Sequence, residues 1–154
     1  MNNIALNIKL RSVKKKDFDF ILKIRNEEET RQACHDTSVI STEIHQNYME
    51  KISNDKNCFQ WIITLDKLDI GHVKIINEEF GYMIKKEYRG KGIGSKTFEL
   101  VCKQAEKMGM KKLYVTIKIN QSIPLKIALK IGFEQKKIIS KDNKPYCYYL
   151  EKLL

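Results

Sequence analysis

The strongest chemical signal in the sequence is a glycine-rich segment, RGKGIG, at positions 89–94. It holds three of the chain's seven glycines and stands directly before a long amphipathic stretch. Glycine lets the backbone approach a ligand closely and adopt positive φ, and free amides at a helix start bind anions with help from the helix dipole. Full positive charges surround the segment, from Arg89, Lys91 and Lys96. These features predict a pyrophosphate-binding loop.

Two other phosphate-binding motifs fit this loop less well. A Walker A loop requires Gly-Lys-Ser/Thr after a four-residue gap, which is missing here. A dinucleotide-binding fingerprint reads Gly-x-Gly-x-x-Gly with an acidic residue ending the next strand. In this chain Gly90, Gly92 and Gly94 follow a Gly-x-Gly-x-Gly pattern, and the next strand ends at Asn120. A plain flexible loop is the remaining alternative.

The elements that must position this loop alternate between strand and helix patterns. Period-2 alternation and β-branched residues predict strands at 4–13, 58–65, 70–76, 79–84, 113–119, 133–139 and 146–153. Helical spacing and capping residues predict helices at 17–24 (cap Asp17), 43–52 (cap Thr42), 95–108 and 122–132 (cap Ser122). The segment 26–40 is polar and irregular, with room for a short helix. This order predicts an α+β protein in which an antiparallel meander meets a strand-helix-strand unit.

In this context the chain resembles the GNAT superfamily of N-acetyltransferases. The loop matches the family's Arg/Gln-x-x-Gly-x-Gly/Ala signature, between the strand 79–84 and a helix. Upstream, Gly71-His72-Val73 precedes it as in the family, and Asn120 with the segment 130–133 resembles the second family motif. The resemblance implies the GNAT fold in one domain, 1–154. That fold is a mixed, mostly antiparallel twisted sheet of about six to seven strands flanked by about four helices.

The resemblance implies acetyl-CoA as the cofactor. Its pyrophosphate would lie on the amides of residues 91–95, Lys91 through Ile93 to Ser95, with Arg89 alongside. The pantetheine arm would pair with the strand that ends at Met83 and Ile84. The strand before Asn120 would splay away from it, opening a slot for the thioester, with Asn120 facing the pantetheine. A backbone N–H near Ile84 would stabilise the oxyanion.

Direct attack by an amine on the thioester requires a base, and the expected base is Glu79, acting through water. Glu78 and His72 are alternatives, and Glu79 could equally be a solvated turn residue. The general acid that would protonate the departing thiolate departs from the family pattern. Ala128 occupies the position where many family members have a tyrosine.

A tyrosine of the last strand could replace that acid. Tyr146 is the expected one, and Tyr148 and Tyr149 are alternatives. Packing is the competing explanation for all three. A thiolate can also leave unprotonated, because free thiols have a pKa of about 8.5.

The expected acceptor is a small-molecule primary amine. Its predicted contacts are Arg25, Asn26, Arg31 and His45. Their segment is similar to enzymes that acetylate amino groups of nucleotide-linked deoxy sugars. Salt bridges to the acidic run 27–29 would explain the arginines instead. The missing tyrosine also fits the RimJ/RimL-like branch, which acetylates the N-terminal amine of ribosomal proteins.

The composition of the chain disfavours several other functions. The net charge of +10 comes with 25 lysines and only 4 arginines, and it disfavours polyamine acceptors. A basic nucleic-acid-binding module is the rival from another class, but the basic residues are scattered and no motif for it occurs. Neither the four cysteines nor the three histidines show metal-ligand spacing, and no segment could span a membrane. We expect a cytoplasmic monomer or homodimer.

Overall fold

The computed structural model describes residues 6–154. The strands are β1 (Ile8–Ser12), β2 (Cys58–Leu65), β3 (Leu68–Ile76), β4 (Glu79–Ile84), β5 (Lys112–Lys118), β6 (Glu134–Lys141) and β7 (Lys144–Leu153). The helices are α1 (Phe18–Arg25), α2 (Glu28–Ala33), α3 (Thr42–Ser53), α4 (Ile93–Lys107) and α5 (Ser122–Ile131). Short 3₁₀ turns precede α1 at Lys15–Asp17 and α4 at Lys86–Tyr88. None of the helices in residues 6–154 is both long and apolar enough to cross a bilayer.

The strands form a single sheet in the order β1-β2-β3-β4-β5-β7-β6. All neighbours run antiparallel except β4 and β5, which are parallel. Two-residue turns with positive φ at both positions close the three hairpins, at residues 66–67, 77–78 and 142–143. The predicted α+β class and mixed, mostly antiparallel sheet are therefore confirmed.

β4 and β5 separate soon after they meet. Within the described chain they share one register pair, Glu79 with Tyr114, and the Tyr114 amide donates to the Glu78 carbonyl at 3.0 Å. Beyond this point each strand continues without the other as its partner, β4 to Ile84 and β5 to Lys118. The predicted splay is therefore present, and it opens a slot in the middle of the sheet.

Helices cover the two faces of the sheet. Alternate residues of the strands pack on α4, where Phe98 makes edge-to-face contacts with Phe80 (4.8 Å between ring centroids) and Phe133 (5.8 Å). The other face packs on α1 and α3 through a separate buried cluster, Phe18, Ile21, Met49, Ile52 and Ile62. Apolar area removed from water stabilises both layers at about 25 cal/mol per Å².

Several predicted helix starts differ in detail. Ser41 rather than Thr42 caps α3, accepting from the Ile44 amide at 3.2 Å, and α5 begins at Ser122 without a side-chain cap. Asp17 occupies the N-cap position of α1, but its carboxylate makes no bond to an amide of that helix. It accepts instead from the Lys14 amide at 2.8 Å and from Arg11.

The element limits also shift. α4 begins two residues earlier than predicted, and the irregular segment contains a fifth helix, α2. The first strand starts at Ile8, and positions 4 and 5 of its predicted range lie outside the described residues.

Candidate active site

The glycine-rich loop joins the 3₁₀ turn after β4 to the start of α4. Gly90 (φ 74°) and Gly92 (φ 78°) both lie in the left-handed region, which disfavours other residues. Gly92 occupies the N-cap position, and its carbonyl accepts the first helical bond from the Lys96 amide at 3.3 Å. The two glycines thus turn the chain sharply into the helix.

The amides of this turn face no protein acceptor. Across residues 6–154, no backbone or side-chain oxygen accepts from the amides of residues 91–95. Such a run of unpaired N–H groups at the positive end of a helix dipole suits a phosphate group. The side chain of Lys91 adds charge, its ammonium lying 5.7 Å from the ring centroid of Tyr88.

Gly94, the third glycine of the motif, is required for packing rather than for the turn. A Cβ on Gly94 would lie 3.2 Å from Ile127 and 3.4 Å from the Tyr82 hydroxyl. Gly94 therefore lets α4 pack closely on α5 and β4. A Cβ on Gly90 would meet nothing within 4 Å, and one on Gly92 only Leu6 at 3.9 Å. Only these two glycines border open space at the loop.

The Arg89 side chain, which is predicted to lie beside the pyrophosphate, has several partners within the protein. Its guanidinium donates to the Ile84 carbonyl (3.0 Å), to Glu27 (3.0 Å) and to Thr30 (2.7 Å), and it also pairs with Glu29. Arg89 thus links the end of β4 to the start of α2 by hydrogen bonds and ion pairs. The positive charge left at the loop is that of its lysines.

The slot between β4 and β5 lies next to this loop. A Cβ on Gly71 of β3 would collide with the Met83 carbonyl, so this glycine is required where β3 lies against β4. Met83 packs on the α1–α3 side, and Ile84 is buried. Asn120 is exposed just after β5. The cofactor contacts of these residues stay predictions.

A pocket of about 300 Å³, which we call the Glu79 pocket, opens on the α1–α3 side of the sheet, where β4 and β5 meet. Its lining residues are Tyr48, Lys74, Ile76, Asn77, Glu79, Gly81 and Tyr114. Burial, followed by the nearby Glu79 carboxylate, raises the pKa of the Tyr114 hydroxyl. Glu79 is half-buried and lines this cavity, and its role as the base stays a prediction.

His72 is poorly placed to act as the alternative base. Its ring is fully buried and its Nε2 lies 2.9 Å from Gln60 Oε1. Burial first, and then the charge of Lys74, lowers the pKa of His72 to about 3. Glu78, half-buried in the turn before β4, stays an alternative.

Comparison with known proteins agrees with the resemblance seen in the sequence. Residues 7–134 match the family model described as an acetyltransferase (GNAT) domain. The chain belongs to the GNAT acetyltransferase family. It is thus an acetyl-CoA-dependent N-acetyltransferase, as its motifs predict. No curated protein matches this acetyltransferase by sequence.

Solved structures resemble the acetyltransferase in fold. Spermidine N-acetyltransferase from Vibrio cholerae, in complex with CoA and spermine, has 17% identity and a TM-score of 0.86, with 95% of each chain covered. A domain from Methanocaldococcus jannaschii has 22% identity and a TM-score of 0.83, covering 97% of this chain and 99% of that one. RimL, a ribosomal L7/L12 α-N-protein acetyltransferase in complex with CoA, has 13% identity and a TM-score of 0.81, covering 96% and 94%.

The residues predicted to bind the acceptor are mostly engaged within the acetyltransferase itself. The Asn26 amide exchanges two bonds of 2.9 Å with the backbone of Ile40, and the buried His45 Nε2 lies 2.7 Å from the Phe18 carbonyl. Arg31 donates to the carbonyls of Asn26 (3.2 Å) and Thr37 (3.0 Å). These three side chains shape the segment after α1, and their contact with the acceptor stays a prediction.

Arg25 differs from the other three. One guanidinium nitrogen donates to the Asp36 carbonyl at 2.7 Å. A second guanidinium nitrogen, Nη1, is buried without an acceptor among the described residues. Among the described residues neither Arg25 nor Arg31 forms a salt bridge with residues 27–29, and Glu27 and Glu29 pair with Arg89 instead.

Residues 27–37, which we call the strap, cross the slot on its α1–α3 side. At β4 the strap is held by Arg89. At β5 the ammonium of Lys118 donates to the Gln32 carbonyl at 3.0 Å, and His35 Nε2 lies 2.9 Å from Thr116 Oγ1. The open end of the slot is therefore covered on this side, whereas the Glu79 pocket lies at the closed end.

The strap also reaches the expected acid. His35 Nδ1 lies 3.0 Å from the Tyr146 hydroxyl, so the imidazole links Tyr146 to Thr116. Sequence reasoning missed His35, because nothing in its irregular segment indicates which strand it faces. Of the alternatives, Tyr148 packs in the core. A hydrogen bond to Glu151 raises the pKa of Tyr149 to about 12, which makes it a poor acid.

Proposed function

We propose that this acetyltransferase transfers an acetyl group to a small primary amine that enters the Glu79 pocket, with the 154-residue chain acting as one domain. The observation that carries the proposal is the pairing of two sites. Unpaired amides at the head of α4 adjoin a slot, and the slot leads to a pocket that holds a carboxylate.

The residues present fit the acetyl donor. The amides of residues 91–95 would hold the pyrophosphate with Lys91 and Lys96, and Met83, Ile84 and Asn120 would line the pantetheine. When bound, acetyl-CoA supplies an activated acetyl thioester.

Glu79 is the proposed base. Its carboxylate accepts the proton of the acceptor ammonium through water, and the free amine then attacks the thioester carbon. As the C–N bond forms and the C–S bond breaks, the nitrogen would lose its second proton to water, which leaves a neutral amide. Tyr146, held by His35, donates its hydroxyl proton to the departing sulfur and regains a proton from solvent through the exposed imidazole.

The acceptor is proposed as a small amine. For a nucleotide-linked deoxy sugar, three of the four expected contacts already have partners within the chain, and Arg25 Nη1 is the buried donor that supports this acceptor. The N-terminal amine of a protein is the second candidate. The strap leaves the Glu79 pocket as the entrance, and a pocket of about 300 Å³ suits a small acceptor better than a folded partner.

The test compares wild-type protein with Glu79→Gln, measuring thiol release from acetyl-CoA across a panel of amines. We expect kcat to fall by a factor of roughly 10² or more, since general bases contribute this much. Acetyl-CoA should raise the melting temperature of both proteins equally. Glu106→Gln, an exposed substitution on α4, is the control.

Two results would count against the proposal. One is full activity in Glu79→Gln. The other is stabilisation by a short oligonucleotide but not by acetyl-CoA, which would favour the nucleic-acid-binding alternative.

A further inference from the structure

The wall of the Glu79 pocket carries a positive charge of its own. In the register of β3 and β4, Lys74 lies opposite Gly81 and Ile76 lies opposite Glu79. Directly opposed residues share a face of the sheet, so Lys74 and Glu79 point to the same side. Both line the pocket, with Gly81 between them.

An aromatic residue of α3 holds the Lys74 ammonium in place. Nζ donates to the Tyr48 hydroxyl at 2.6 Å and lies 4.9 Å from the centre of that ring. In residues 6–154 no carboxylate lies within 4.0 Å of this ammonium. Lys74 is half-buried, and its ammonium is therefore available to an anion in the pocket.

Gly81 leaves room in front of this cation. Its φ is not positive, so its backbone conformation would accept other residues. A Cβ at this position would meet nothing within 4 Å, so packing does not demand glycine either. The side chain that is missing here leaves the pocket floor open between the Lys74 ammonium and the Glu79 carboxylate.

We propose that the acceptor carries an anionic group, a carboxylate or a phosphate, a few bonds from its amine, and that Lys74 binds this anion while Glu79 faces the amine. The inference rests on the proposed function, because it takes this pocket as the acceptor site. The opposite charges of Lys74 and Glu79 match an acceptor that has both an ammonium and an anion. A second ammonium, as in a diamine, would meet Lys74 and be repelled.

The experiment compares acceptors with and without an anion near the amine. These are glucosamine 6-phosphate against glucosamine, alanine against alaninamide, and putrescine as the diamine. For wild-type protein we expect at least one anionic acceptor to exceed its neutral partner about tenfold or more in kcat/KM. The reason is that one charge-assisted hydrogen bond contributes about this factor. The two pairs also distinguish a phosphate from a carboxylate.

Variants of Lys74 assign the preference to this side chain. Lys74→Met should remove it and Lys74→Arg should keep it, whereas Lys103→Met, an exposed substitution on α4, should change nothing. Gly81→Val keeps the charge and fills the floor. Its side chain enters open space, so we expect unchanged stability and a KM for the acceptor raised about tenfold.

Direct binding of the same acceptors, measured by calorimetry with CoA present, separates this inference from the proposed function. A binding preference without thiol release would refute the transfer and leave the anion subsite standing. The subsite is refuted if wild-type protein shows no preference for an anionic acceptor in either assay. A preference that survives Lys74→Met refutes it too.

Discussion

Gly92→Asp tests the loop most directly, because it places a carboxylate where a phosphate is expected. A Cβ at this position would lie 3.9 Å from Leu6, so the new side chain fits without a clash. The positive φ of 78° costs about 1 kcal/mol for a residue other than glycine. The introduced aspartate would stand at the N-cap, where a carboxylate accepts from the amides of the first helical turn.

The expected loss follows from the bonds that this carboxylate would take. Two of the unpaired amides of residues 91–95 would turn from the phosphate to the aspartate. Hydrogen bonds to charged groups contribute about 1.5 kcal/mol each at the low end, which gives about 3 kcal/mol. The Kd for acetyl-CoA should therefore rise about 150-fold, and like-charge repulsion would add to this.

Isothermal titration calorimetry with acetyl-CoA measures this change, and Gly109→Asp is the matched control. Gly109 also has a positive φ, 84°, and faces open space, but it lies at the other end of α4. Its variant should lose similar stability and bind acetyl-CoA like wild-type protein. Should folded Gly92→Asp bind with wild-type affinity, the reasoning about the amides is refuted.

Two further variants test the fold and the acid. Asp17→Asn should lower the free energy of unfolding by about 2 kcal/mol at pH 7, because it weakens the bonds to Arg11. Since Arg11 lowers the pKa of Asp17, this stability is present above about pH 4 and is lost as the pH falls further. Urea unfolding at pH 3 and 7 should show a smaller drop for the variant; an equal drop contradicts the assignment. Tyr146→Phe should lower kcat by a factor of roughly 10² with unchanged acetyl-CoA affinity, and Tyr148→Phe is its control. An unchanged kcat would mean that the thiolate leaves unprotonated.

Local signals in the sequence sufficed for the fold and for the loop. The alternation of Leu113, Val115 and Ile117 determines which face of β5 is buried, and this pattern is visible without tertiary information. The same holds for Gly90 and Gly92, whose backbone conformations belong to the turn itself. Such features depend on neighbours in the chain, and they were predicted correctly.

Side-chain partners distant in sequence could not be predicted in this way. Arg89 pairs with Glu27, 62 positions away, and His35 contacts Thr116 across 81 positions. Residue type indicates that an arginine needs an acceptor, but not which segment brings one. The same limit hid Lys74 beside Gly81, a juxtaposition that exists only once β3 and β4 are in register.

A cradle built from main-chain amides has a consequence for how the loop tolerates change. Amides look alike in every residue but proline, so the atoms expected to hold the diphosphate survive most replacements at positions 91 and 95, whereas Ile93 is also a buried core residue. The shape of the turn is less forgiving, because it depends on two left-handed glycines. The exposed side chains of this loop can therefore change during evolution without loss of the phosphate-binding amides, provided that the path of the backbone is retained.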